Sequence, residues 1–289
     1  MSSPAEIYVR GIHDKFNFYA AWPPNQPREL GDVGRLKDGA FQRITTLHEL
    51  GINFKKRVGE AGQDLSHTSG NSVSLEFKGQ GQTLQGANIP QAKAGAVVQF
   101  SAAGAFVFQV ASPRVVEIEN QVALAEKILG KFRTKKNGKR AWQADWFVIT
   151  EVVTAEKVTV LLSNSKASKI ELSAEGTIPV GPAPLAAVGG GLSVVTQKGD
   201  VTSVVAAAKL TPMFRLCRVR RSILDRILGG DESADLTRAA PDAGQATPQR
   251  VLEPVPVPDA MGNPTRAWAP AKRKRSARGR KKTVKAASK

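Results

Sequence analysis

Hydrophobic and polar positions alternate with a period of two in several stretches of this chain, and each predicts a strand. The densest is Trp146–Val160, WFVITEVVTAEKVTV. Its continuous apolar run, Trp146, Phe147, Val148 and Ile149, is what a strand covered on both faces needs. After a polar break at Thr154–Lys157 the strand pattern resumes at Val158–Val160, so the stretch reads as two antiparallel strands joined by a tight turn. In a second stretch Val98, Phe100, Ala102, Gly104, Phe106, Phe108 and Val110 form one apolar face, against small or polar neighbours. That reads as a single long strand. A third stretch, Lys169–Ile178, alternates Ile170, Leu172, Ala174, Gly176 and Ile178 with polar residues. All three fit as neighbours in one sheet, joined by a strand at Ser72–Lys78 and a hairpin of Leu192–Thr196 with Val201–Val205, turned at Lys198-Gly199-Asp200.

A spacing of three and four marks the helices. Ser112 and Pro113 read as N-cap and first residue of a helix carrying Val115, Ile118, Val122, Ala125, Leu129 and Phe132. Pro212 opens a second, with Met213, Leu216, Val219, Ile223 and Ile227 in a stripe and five arginines against one aspartate over 213–228. Such a helix can pack on a core or lie on a membrane surface. Residues 1–65 are turn-rich, with WPPNQP, GDVG and KDG between short apolar anchors. Thr46 and Glu49 have capping-box spacing, with Gly51 as a C-cap. The expected fold class is α+β: a twisted antiparallel sheet with flanking helices over 1–228, followed by a disordered basic tail. Seven prolines lie between 241 and 270, so 229–265 reads as a Pro-rich disordered linker, with 266–289 as the Lys/Arg-rich end.

Charge sharpens that division. The 289 residues carry a net charge of +17, but 266–289 hold 11 Lys or Arg and no acid. The first 265 residues, with 31 basic against 25 acidic side chains, carry only +6. A single cysteine, Cys217, excludes an internal disulfide framework or a Cys-cluster zinc site and fits a reducing compartment. MSSPAEIYVRG has no apolar stretch of signal-peptide length, and no segment reaches the ~18 apolar residues of a spanning helix. The expected location is the cytoplasm.

Catalytic chemistry is thin. His13, His48 and His67 are isolated from second ligands at helical or zinc-finger spacing. There is no G-x-S-x-G elbow or P-loop, and GQGQTLQG at 79–86 does not fit the dinucleotide fingerprint. The expectation is a protein that is not an enzyme, without cofactor or metal. The tail is more specific. Lys272, Arg273, Lys274, Arg275, Arg278, Arg280, Lys281 and Lys282 form a polyanion-binding block that acts by counterion release. DNA, RNA and anionic lipid headgroups all fit it.

Three segments resemble the pore-forming domain of gasdermins. WFVITEVVTAEKVTV (146–160) is similar to the family's strand pair. AAAKLTPMFRLCRVRRS (206–222) resembles a later segment in which an apolar strand reaches a Phe-Arg edge. ELGDVGRLKDGAFQRITTLHELGI (29–52) looks like the N-terminal part of bacterial gasdermins. The resemblance implies a twisted antiparallel sheet with packed helices and assembly into a ring whose β-hairpins enter a membrane. The hairpins would come from about 72–110 and 169–205, with Val98, Phe100, Phe106, Phe108, Val110, Ile170, Leu172, Ile178, Val194 and Val205 as membrane-inserting candidates. It also implies a cytoplasmic inactive form, an activating protease, and a homo-oligomer on anionic lipid at the inner face of the cell membrane. VLEPVPVP (251–258), Met261 and Trp268 are the C-terminal groups that could dock as an inhibitor. The alternative is a non-enzymatic β-domain interaction module whose basic tail binds nucleic acid or another polyanion.

Deleting 266–289 is expected to abolish weak, steeply salt-dependent binding to DNA or anionic vesicles while leaving the thermal midpoint unchanged. Titration at two salt concentrations and a thermal melt check this; binding that survives relocates the polyanion site to the body of the chain.

Overall fold

The computed structural model describes residues 3–37, 40–78, 95–136, 139–174, 192–207, 210–219 and 252–255. The chain opens with helix α1 (Pro4–Phe16) and strands β1 (Tyr19–Ala20), β2 (Asp32–Lys37), β3 (Ala40–Thr46), β4 (Lys56–Ala61), β5 (Leu65–Thr68) and β6 (Val73–Lys78). Strands β7 (Gly95–Phe100), β8 (Phe106–Ala111) and β9 (Arg114–Ile118) lead to helix α2 (Gln121–Arg133) and a small ladder of β10 (Lys135–Lys136) with β11 (Lys139–Arg140). Then come β12 (Phe147–Thr154), β13 (Lys157–Ser163), β14 (Ser168–Ala174), β15 (Leu192–Lys198), β16 (Val201–Ala207), β17 (Met213–Val219) and β18 (Leu252–Pro254). Among the described residues every ladder is antiparallel.

Three sheets result instead of the single one the pattern suggested. A proximal sheet runs β1-β17-β12-β2-β3, with β9 beside β12, β4 beside β9 and β18 on β17. A middle sheet has the order β16-β13-β8-β5, and a distal sheet the order β15-β14-β7-β6. Helix α1 packs against the proximal and middle sheets together. Tyr8, Val9 and Ile12 share a core with Phe106 and Phe108 of β8, Phe147 and Ile149 of β12, Val158 and Val160 of β13, and Phe214 of β17. Helix α2 covers the other face of the proximal sheet, where Leu124, Ile128 and Phe132 meet Val148, Cys217 and Trp142. The distal sheet lies on the middle one, with Val98, Phe100, Ile170 and Leu172 against Val107, Leu161 and Val201. Thus β12 is buried on both faces, as the run Phe147–Ile149 requires.

Several expectations are corrected. β12 and β13 do not pair with each other; the chain bends at 155–156 and carries one long strand from the proximal into the middle sheet. The strand expected at 98–110 is broken at 101–105, because β7 joins the distal sheet and β8 the middle one. β15 and β16 likewise lie in different sheets and form no hairpin with each other. The helix expected from Met213 is strand β17 as far as Val219, and 220–228 lie outside the described residues. Its apolar groups face two cores, Phe214 and Leu216 one, Cys217 and Val219 the other, and apolar residues on both faces imitate a helical stripe. Residues 114–118 form β9, and the helix starts eight residues after Ser112, where the Asn120 side chain accepts from the Ala123 amide at 2.9 Å. At the other end, α1 lies within the stretch expected to be turn-rich, although Ser3, Pro4 and Glu6 spell its start. The Ser3 hydroxyl accepts from the Glu6 amide, and the Glu6 carboxylate from the Ser3 amide at 2.9 Å. The turn at 46–51 has the same reciprocal bonds, between Thr46 and Glu49, with Gly51 at φ +68°.

A row of charges crosses the proximal sheet. Glu117 of β9 faces Glu151 of β12, a destabilising like-charge pair by itself. Arg57 of β4 bridges Glu117 from one side, and Arg215 of β17 bridges Glu151 from the other at 2.9 Å. Four strands are thereby held in lateral register by charge as well as by backbone.

Tyr8 centres the α1 core, with its ring 5.4 Å from Phe106 and 6.1 Å from Trp22, and its buried hydroxyl has no hydrogen-bond partner among the described residues. Tyr8→Phe is therefore expected to leave stability unchanged or raised by about 1 kcal/mol, whereas Tyr8→Ala costs about 3–5 kcal/mol. Burial pushes the phenols of Tyr8 and Tyr19 up. Above about pH 10 the unfolded chain releases phenolic protons that the folded chain keeps, so the contribution of these two groups is flat below that pH and stability falls above it. Chemical denaturation between pH 8 and 11 checks both points, with a shallower alkaline decline expected in Tyr8→Phe.

Candidate functional site

The middle and distal sheets are built from the same four pieces of chain in the same lateral order. β5 runs on into β6, β7 into β8, β13 into β14 and β15 into β16, crossing between the sheets at 69–72, 101–105, 164–167 and 199–200. The distal sheet is thus the middle sheet folded back on itself. Its four outer ends, Lys78, Gly95, Ala174 and Leu192, lie side by side, because Lys78 faces Gly95, Ser173 faces Gly95 and Ala174 faces Leu192. The connections 79–94 and 175–191 leave from this one edge and lie outside the described residues. Two strand pairs, β6 with β7 and β14 with β15, therefore stand next to each other with their outer ends on the same side.

Between the two inner pieces the register never slips. Glu151 faces Glu117; ten positions further on Leu161 faces Val107, and eleven beyond that Leu172 faces Ala96. Between the last pair of one ladder, Leu162 with Phe106, and the first of the next, Ser168 with Phe100, each strand has five residues, 163–167 and 101–105. Side chains two apart in a strand share a face, so parity carries through. Even-numbered residues of β8 (Phe106, Phe108, Val110) face the α1 core, and even-numbered residues of β7 (Ala96, Val98, Phe100) face the middle sheet. With the crossover straightened, all of these fall on one continuous apolar face with Ala102 and Gly104. Val158, Val160, Leu162, Ile170 and Leu172 do the same on the partner strand, interrupted at Asn164, Lys166 and Ser168.

The membrane-inserting candidates sort accordingly. Val98, Phe100, Ile170 and Leu172 fill the space between distal and middle sheets, and Phe106, Phe108 and Val110 belong to the α1 core. Val205 packs at the edge of the first group, Val194 is 42% exposed on the edge strand β15, and Ile178 lies outside the described residues. The basic block 272–282 also lies outside them.

Of the C-terminal groups that could dock, VLEPVPVP does so through Leu252–Val255. Leu252–Pro254, within the stretch expected as linker, adds β18 to the edge of β17 as an antiparallel strand. Leu252 and Val255 are buried, the Val255 amide donates to the Leu216 carbonyl at 3.0 Å, and Arg218 bridges Glu253 at 2.7 Å. This is edge-strand addition by a segment 33 residues beyond the strand it joins. The signal available in the sequence is the apolar content of VLEPVPVP, since Leu252–Pro254 is too short a strand to show a period of two.

Other chemistry is sparse among the described residues. No group of three or more His, Cys, Asp or Glu is placed to hold a metal. Burial and the nearby Lys15 charge hold His67 below the usual imidazole range, and its ring lies 5.4 Å from Phe106. Cys217 is buried on β17, with Sγ 3.2 Å from the Thr150 hydroxyl, as a small core side chain would be. No described helix is long and apolar enough to cross a membrane, which leaves strands open.

No protein-family model matches the chain, and no curated protein does. Among solved structures, a cryo-EM structure of the Gasdermin A3 membrane pore is similar at 12% identity and a TM-score of 0.30, over 75% of this chain and 90% of that one. At that score the two superpose only loosely.

The β18 contact can be tested by charge exchange. Glu253→Arg is expected to loosen β18 and lower stability by about 0.2–1 kcal/mol, and adding Arg218→Glu is expected to recover much of the loss. Urea denaturation of the two single variants and the double variant measures the coupling.

Proposed function

We propose that this chain is a membrane pore former of the gasdermin kind, in which two adjacent hairpins straighten from a folded-back state into a bilayer. The supporting observation is the shared strand order of the middle and distal sheets, with the inner pair in unbroken register. Each hairpin can extend without exchanging a lateral partner. Even-numbered apolar side chains now split between two cores would then form one face toward lipid. Odd-numbered residues such as Gln99, Ser101, Gln109, Thr159 and Ser163 would line water. A strand crosses a bilayer with ~9–11 residues, fewer than Gly95–Ala111 provides.

Extended hairpins leave two sheet edges, β6 and β15, whose backbone groups cannot remain unpaired in lipid. Pairing with a second copy satisfies them, so the reading calls for a homo-oligomeric ring on a membrane, with anionic lipid as the favoured surface. The protein acts without catalysis, from the cytoplasmic face. In the resting state β18 covers an edge of the proximal sheet. Shifting a two-state balance from one extreme to the other takes ~5.5 kcal/mol. Burying Leu252 and Val255 contributes ~1.5–3 kcal/mol each, which is of that order while the strand remains tethered. A protease cutting within 220–250 removes the tether and lets β18 leave.

Two measurements test this. Cleavage within 220–250 is expected to yield a fragment that oligomerises on anionic liposomes and releases entrapped dye; a monomer beside intact vesicles overturns the reading. Val194→Arg changes an exposed residue and is expected to leave the soluble fold within about 0.5 kcal/mol of wild type. Opposite Leu172 on the lipid face, the arginine would cost about 2–4 kcal/mol per copy near mid-bilayer, so leakage is expected to fall steeply. Phe106, buried beside Tyr8, is unsuited to this test because a charge there disrupts the α1 core.

A further inference from the structure

Each of the four crossovers between middle and distal sheets contains one described residue in the left-handed region. They are Gly70 at φ +70°, Gly104 at +83°, Ala167 at +56° and Gly199 at +83°. Three are glycines, for which that region is free of Cβ strain; Ala167 is the exception. The crossovers are also bonded to one another in sequence across the sheet. The Ser69 amide donates to the Phe106 carbonyl at 3.1 Å, and the Phe106 amide to the Ser69 hydroxyl at 2.9 Å. The Gly104 amide donates to the Ser163 carbonyl at 2.7 Å, and the Ser163 amide to the Ala105 carbonyl at 2.8 Å. The Asn164 amide donates to the Asp200 carbonyl at 2.8 Å, and its side-chain amide to the Asp200 carboxylate at 3.1 Å. Around the third crossover the hydroxyls of Ser163, Ser165 and Ser168 bond one another, with Ser163 and Ser168 buried.

We infer that these four residues form a hinge row on which the distal sheet opens as a unit, and that Ala167 sets how readily it opens. The inference deepens the pore reading, resting on it for the use made of opening, while the hinge itself is a property of the soluble protein. A straightened strand needs extended backbone at all four positions. Alanine favours that conformation over the left-handed one and glycine is nearly indifferent, so the Cβ of Ala167 biases the row toward opening. Lateral bonding between crossovers makes opening cooperative, since freeing one breaks bonds to its neighbour. Space for a Cβ distinguishes the hinges. At Gly104 it would meet Ile7 of α1 at 2.4 Å and at Gly199 the Ser168 hydroxyl at 2.7 Å, whereas at Gly70 it meets nothing within 4 Å. Gly70→Ala therefore adds left-handed strain without a clash, and Ala167→Gly removes it.

Hydrogen–deuterium exchange on the full chain, without membrane, measures the opening. The readout is protection of β7 and β14 amides relative to β12 amides. Ala167→Gly is expected to raise that ratio about 2- to 10-fold, the left-handed penalty of a Cβ less the freedom glycine gains on opening. Gly70→Ala is expected to lower it by a similar factor. Gly130→Ala, in helix α2 with open space around its Cβ, provides the control for a change away from the hinges. Shifts of opposite sign at 70 and 167, absent in the control, support the hinge row. Ratios unchanged in both hinge variants, or moved equally by Gly130→Ala, overturn it. Because no vesicle enters the measurement, a hinge row that passes beside a cleaved fragment that never leaks would separate failure of the pore reading from failure of the hinge.

Discussion

The ladder between 95–118 and 151–174 is the constraint on which the rest of the structure depends. Backbone pairing with a period of two leaves no freedom once the register is set: a one-residue slip would send every apolar side chain to the opposite face. Here the register passes unchanged through two changes of direction. Every other element answers to the faces this creates. Helix α1 fills one side of the bend between proximal and middle sheets, helix α2 closes the far side of the proximal sheet, and the distal sheet covers the remaining face of the middle one. The outer strands are less strict, with small register shifts in the pairings of β13 with β16 and of β14 with β15.

In the proposed reading, this arrangement gives one sequence two ways to bury the same pattern. Phe106 and Val98 have the same parity, yet one meets α1 and the other the middle sheet, because the chain turns over between them. A fold that only needed a stable core would gain from breaking the parity at the crossover and filling each face separately. Keeping it retains a single apolar face along 96–110, which matters if the strand is ever straight. The Ala102–Ala105 stretch suits both uses, since small side chains crowd neither a turn nor a lipid-facing strand.

Charge and the C-terminal strand act at the edges of this frame. Arg57, Glu117, Glu151 and Arg215 tie four strands of the proximal sheet together. Arg218 then holds Glu253 where β18 closes the β17 edge. An uncovered edge strand is a template for pairing with another chain, so a segment of the same chain docked there limits association. Pro254 at the end of β18 suits an edge, having no amide hydrogen to offer a further strand.

The sequence by itself determined where the strands lie, because alternation is a local property. Phe147–Ile149, Val98–Phe100, Phe106–Val110 and Ile170–Leu172 all sit in strands, with Trp146 just before its strand, and the continuous run at 147–149 implies the observed burial on both faces. The antiparallel α+β class and the helix through Leu124–Phe132 were legible for the same reason. Ser3 and Glu6 mark α1 equally plainly, and Tyr8, Ile12 and Phe16 recur at a spacing of four, a helical signal that the turn-rich reading of 1–65 passes over. Which strand pairs with which was decided only by the tertiary structure. β12 and β13 look like a hairpin, as do β15 and β16, because a tight turn and a crossover between sheets use the same residues, Gly199 and Asp200 among them. β17 read as a helix because it is buried on two faces, which only its neighbours could reveal. The fold-back, the left-handed residues along it and the docking of Leu252–Pro254 depend on contacts between residues far apart in the chain, for which periodicity holds no signal.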